Sequence, residues 1–153
     1  MEIIDKLISS KAQTLQYFDL PVEVYHWTYA EGKWNIRQLL IHVADAESIL
    51  YDRIRRIIAE QPNPVLWSFD QDSWVAHIDY DTFPLSATKQ MFAGTRDLVI
   101  YFVDKYYISH GDLPFVHSSM GSRTLKDEMD KIARHCQDHL DQIAQALERQ
   151  IGD

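Results

Sequence analysis

Apolar residues recur three and four positions apart over four long stretches of this chain, with few breakers between them. The last stretch is the clearest: Leu125, Met129, Ile132, Cys136, Leu140, Ile143 and Leu147. That spacing lays one stripe along one face of an α-helix. Five glycines and five prolines in 153 residues leave little room for many turns. The expectation is an all-α protein, and four amphipathic helices bury their stripes as a four-helix bundle. At this length one domain, residues 1–153, is the simplest arrangement.

The first helix is predicted from Ile3 to Leu20, ahead of Pro21. The second runs from an Asn35 cap, with Gln38 at the third helical position, to about Glu60. Residues 62–84 lose the period, yet they carry Trp67, Phe69, Trp74, Tyr80 and Phe83. They read as an ordered connection with one helical turn around Gln71 to His77. The third helix is predicted from a Ser86 cap to Tyr107. A connection from Phe115 to Arg123 follows. The fourth begins at Thr124, with Asp127 three residues on.

The formal charge is -8, a field that repels phosphate backbones, so nucleic acid is not expected as a partner. No apolar run approaches the ~18 residues of a membrane span, and the first residues show no secretory pattern. One cysteine cannot form an internal disulfide and fits a reducing cytoplasm.

Two histidines on the last helix, His135 and His139, are four residues apart. They therefore share a face, one turn from each other, at the edge of the apolar stripe. His42 on the second helix sits in the same way beside Leu39, Val43 and Ala46. Three neutral imidazoles suit zinc, nickel, copper or iron, and three protein ligands leave positions open for water or substrate. Ordinary helix histidines, exposed or hydrogen-bonded, meet the same spacing. Asp45 shares the His42 face and reads as an outer partner, a general base or a solvated carboxylate. Glu47 is rotated away, as for an inter-helix salt bridge. Arg53, three turns past His42, could hold a substrate or cofactor carboxylate, or be a surface arginine. Trp67, Phe69 and Trp74 either line the mouth of a pocket, with Trp74 touching substrate, or form a loop cluster. Cys136 belongs to the core. His26, His77, His110 and His117 lie in connections, outside the expected ligand set.

Several motifs resemble those of the DinB-like (DinB/YfiT) superfamily of metalloenzymes. Gly32-Lys33-Trp34-Asn35-Ile36 leading to His42-Val43-Ala44-Asp45-Ala46-Glu47 is similar to that family's first signature. Gln71-Asp72-Ser73-Trp74 resembles its mid-chain Asp and Trp. Gly121-Ser122-Arg123-Thr124-Leu125 resembles its entry to the last helix, and His135 with His139 its closing ligand pair. The resemblance implies an up-down-down-up bundle and a divalent metal ion (zinc, nickel, iron or manganese) held by His42, His135 and His139. It also implies a homodimer and a small-molecule substrate, with a low-molecular-weight thiol as cosubstrate of a transferase, or water in a related hydrolase. The chain departs from the family at Cys136-Gln137-Asp138, where an acidic residue often follows a second histidine; this leaves an acid-base role there open. The other readings are a dimeric bundle that binds metal or ligand without turnover, and a bundle whose histidines never meet.

Overall fold

The computed structural model describes residues 1–153. Its long helices are α1 (Glu2–Tyr17), α2 (Ile36–Ala59), α4 (Leu85–Tyr106) and α5 (Leu125–Arg149); α3 (Gln71–His77) is a short one. Both predicted capping boxes are present. The Asn35 side chain accepts from the Gln38 amide while Gln38 accepts from Asn35, and Thr124 and Asp127 do the same for α5. Each box satisfies helix-end donors that would otherwise lack partners.

Two predicted boundaries shift. α1 ends at Tyr17 rather than Leu20, where the Tyr25 hydroxyl donates to the Tyr17 and Phe18 carbonyls. α4 starts at Leu85, and Ser86 is not its cap. The Pro84 carbonyl instead accepts both the amide and the hydroxyl of Thr88.

The fold is also not purely helical. The expected connection from Phe115 to Arg123 is a hairpin of β2 (Pro114–His117) and β3 (Gly121–Thr124), turning at Gly121 with φ +77°. A two-residue β1 (Val65–Leu66) pairs parallel to β2. The small sheet closes one end of the bundle, and β3 feeds directly into α5.

Specific contacts fix the helix directions. Lys11 pairs with Asp97 and Asp19 with Lys89, so α1 and α4 are antiparallel. Phe92 shares one core cluster with Leu39, Leu40 and Val43, Val99 and Val103 share the other with Leu50 and Ile54, and Arg96 pairs with Glu47 between them. Hence α2 and α4 are parallel. His42 meets His135 and Arg53 meets Glu128, so α2 and α5 are antiparallel. α1 and α5 run parallel, with Ile3 and Leu7 beside Met129 and Ile132, and Thr14 facing Cys136. Together these give the up-down-down-up four-helix bundle.

The core falls into two apolar clusters, with polar side chains at the level between them. Arg96 is fully buried there. Its guanidinium donates to both Glu47 oxygens at 2.5 and 2.9 Å, to the Leu7 carbonyl and to Ser10. Glu47 is thus the inter-helix partner that its position on α2 predicted. Removing one partner of a buried ion pair typically costs about 3–5 kcal/mol. Glu47→Leu and Arg96→Met should each lower urea-unfolding stability by about that much. The double variant should lose less than their sum.

Candidate metal centre

The antiparallel seam of α2 and α5 brings His42, His135 and His139 together. His135 Nε2 lies 3.0 Å from His42 Nε2 and 3.1 Å from His139 Nε2, and the three ligand atoms lie within 4.8 Å of one another. His42 is buried; the other two are half-buried. One turn of helix sets the α5 pair, and helix packing supplies the third ring.

A neutral imidazole nitrogen carries either one hydrogen or one lone pair. Three Nε2 atoms facing one another therefore cannot all be satisfied within the set by linear hydrogen bonds. His139 Nδ1 sits 2.8 Å from Gln142 Oε1; donation there leaves its Nε2 bare. A shared cation satisfies all three lone pairs. Bonds of 2.0–2.1 Å to a tetrahedral ion separate ligand nitrogens by about 3.3 Å, close to the spacings found. The residues fit a divalent ion.

Burial disfavours the imidazolium form and, aided by the neighbouring histidines, pushes His42 down to about 3. Burial, then His139, Lys131 and Arg134, does the same to His135, also to about 3. His139 is lowered by burial, against the Gln142 hydrogen bond and Asp138. All three are neutral near pH 7, the form that ligates metal.

Aromatic side chains wall the centre. The Trp34 ring lies 5.0 Å from His42 and 6.4 Å from His139; Phe69 lies 6.1 Å from His42 and Trp74 5.1 Å from Phe69. A cleft of about 280 Å³ reaches His139 past Tyr29, Lys33, Trp34, Asp72 and Gln142. A larger hollow of about 680 Å³ between α1 and α5 gathers no ligand set. Several polar groups there are already partnered: Lys6 pairs with Glu2, and the Tyr107 hydroxyl donates to Asp130.

The other expected residues fall as follows. Asp45 is half-buried and accepts the Tyr80 hydroxyl at 2.6 Å. Burial raises its carboxyl, with Tyr80 opposing. Arg53 is no surface arginine. It is 4% exposed and donates to Glu128 and to the Trp67 carbonyl. Trp74 packs on Phe69 through α3, whereas the Trp67 side chain is exposed. Cys136 is buried in the core. Of the remaining histidines, His117 is buried on β2 and is not one of the ligand set. Trp34 and Gln142 were not singled out from sequence. Trp34 lay within the quoted signature, and Gln142 stands three residues past His139, a spacing that faces it.

The lowered histidines give a pH signature. Unfolded histidine titrates near 6.5, so between about 6.5 and 3 the unfolded chain binds more protons than the folded metal-free one. Metal-free stability should therefore be complete above about pH 6.5 and fall as pH drops below it. Urea unfolding at pH 7 and pH 5 measures this. Equal stabilities would contradict the buried neutral rings, and His42→Gln should flatten the slope.

Comparison with known proteins bears on this geometry. The model of the DinB superfamily matches residues 7–143. A protein of Oceanobacillus iheyensis, provisionally named a metal-dependent hydrolase, is 30% identical over 125 residues, spanning 82% of this chain and 71% of its own. One of Halalkalibacterium halodurans with the same provisional name is 26% identical over 122 residues, spanning 80% and 70%. YfiT from Bacillus subtilis, reported as "a probable metal-dependent hydrolase with an unusual four-helix bundle topology", has the same fold. Its TM-score is 0.88 over 97% of this chain and 86% of that one, at 18% identity. The match runs from α1 to α5, and the chain belongs to the DinB superfamily.

Proposed function

We propose that this chain is a metal-dependent hydrolase of a small molecule, acting at the α2–α5 seam. The convergence of three imidazole Nε2 atoms carries the reading. The provisional names of the relatives support it. A divalent ion held by His42, His135 and His139 would supply Lewis-acid activation of water or of a substrate group. Gln142 orients His139. Trp34, Phe69 and Trp74 give substrate an apolar wall and exclude bulk water. Asp45, three residues past His42 and raised by burial, is the proton acceptor in this reading.

The thiol-dependent transferase implied by the family resemblance is a narrower use of the same centre. It needs an external thiol, because the chain's one cysteine is buried. Such a thiol points to the cytoplasm, as does the unpaired cysteine. No helix is long and apolar enough to cross a membrane. The homodimer is likewise our proposal; Leu98 and Tyr101, exposed on α4, offer an apolar face for it, and light scattering tests it.

Protein loaded in turn with zinc, nickel, iron or manganese should hydrolyse members of a small ester and amide panel. His42→Ala and His135→Ala should each abolish stoichiometric metal and lower kcat/KM at least about a hundredfold. Asp45→Asn should lower kcat with metal retained. Conjugation of an electrophile to glutathione or bacillithiol, without hydrolysis, would replace the hydrolase reading with the transferase one. Full metal content in both histidine variants would overturn both.

A further inference from the structure

One turn before His135 on α5, a cluster of donors has too few acceptors. Glu128, Lys131 and His135 share a helix face at i, i+3 and i+7. Glu128 is buried and bonded at 3.1 Å by buried Arg53. Lys131 Nζ lies 3.9 Å from the same Glu128 oxygen and is about one quarter exposed. Two cations thus share one carboxylate, while the neighbouring Arg123 is matched by Asp127 at 4.0 Å. Arg53 Nε is buried without any hydrogen-bond partner.

His117 adds a further donor. Its Nδ1 accepts the backbone amides of Ser119 and Met120, each at 3.2 Å. A nitrogen that accepts carries no proton, so the neutral ring holds its hydrogen on Nε2. The residue is 4% exposed. His117 stands opposite Leu66 in the sheet, and the next carbonyl along the chain, that of Trp67, accepts from Arg53 at 2.7 Å, so the hairpin brings His117 up to the Arg53–Glu128 pair. Lys131 stands one turn before His135 on the same face of α5, which puts the cluster next to the three rings. A surplus positive spot in a chain of formal charge -8 is a local exception.

We propose that this cluster is an oxyanion subsite, in which Lys131 Nζ and His117 Nε2–H hold a carboxylate or phosphate group of the small molecule processed at the three histidines. The placement of the anionic group follows from the helix: Lys131 is four residues, about 6 Å of axis, from His135. Arg53 and Glu128 position the cluster from beneath. The link to the reaction rests on the hydrolase reading; the subsite itself does not.

The test uses the full chain, as purified and after removal of metal by chelation. Acetate and inorganic phosphate are titrated at constant ionic strength, with chloride as control, while NMR follows the Lys131 ammonium and the His117 ring. Saturable shifts at both groups are expected with and without metal, and the tighter anion identifies the group recognised. Lys131→Met should weaken binding by at least about tenfold, the worth of one charge-assisted hydrogen bond. Lys131→Arg should stay within about threefold. Thermal melts check that both variants fold. No saturable shift in the unsubstituted protein, or equal binding by Lys131→Met, overturns the subsite. Anion binding without hydrolysis would keep the subsite and remove the hydrolase reading.

Discussion

A guanidinium with no exposed surface sits at mid-height in this bundle, and its requirements organise the helices around it. Arg96 needs a carboxylate and further acceptors, because a buried charge is tolerated only when paired and hydrogen-bonded. Glu47 of α2 and the Leu7 carbonyl and Ser10 of α1 meet that need. Three helices are thereby held at one relative height. Turning Glu47 toward α4 also sets the rotation of α2. His42 stands five residues earlier, rotated by about 140°, which aims it at α5. A slip of α2 by one residue would break the bidentate pair and swing His42 by about 100°.

The seam between α2 and α5 then divides into two chemical zones. Around His42 and His135 the environment is aromatic and neutral, and burial keeps the rings uncharged. One turn along, Arg53 and Lys131 surround Glu128 and the charge is positive. Neutral imidazoles bind metal, whereas fixed cations bind anions. Under the proposed reading, their adjacency would let one small molecule meet both. The chain's negative field raises selectivity, since an anion is attracted only where the local cations outweigh the rest.

Sequence made the helices legible wherever a local signal governed them. The Asn35/Gln38 and Thr124/Asp127 boxes were readable because a cap acts over three residues. The three histidines were legible in part for a related reason: helical spacing paired two and the apolar edge offered the third, while the family resemblance joined them as one ligand set. Ser86 looked like a cap, but the Pro84 carbonyl and Thr88 had already closed that turn. The hairpin stayed hidden because its strands are four residues long and β1 joins from about fifty residues away. Arg53 read as solvated because its partner Glu128 is 75 residues distant. Trp34 stands just before a cap, and its place over His42 depends on the bridges that join Thr28 to Asn35 and Trp27 to Gly152.

His42 and His135 are 93 residues apart in sequence yet touch in the fold. An ion gripping both would close a loop of more than half the chain. A cross-link of that span removes much of the freedom of the unfolded polypeptide, as a long-range disulfide does. The three rings of the proposed metal centre would thus also act as a clasp on the bundle, so that chelation would loosen the architecture itself.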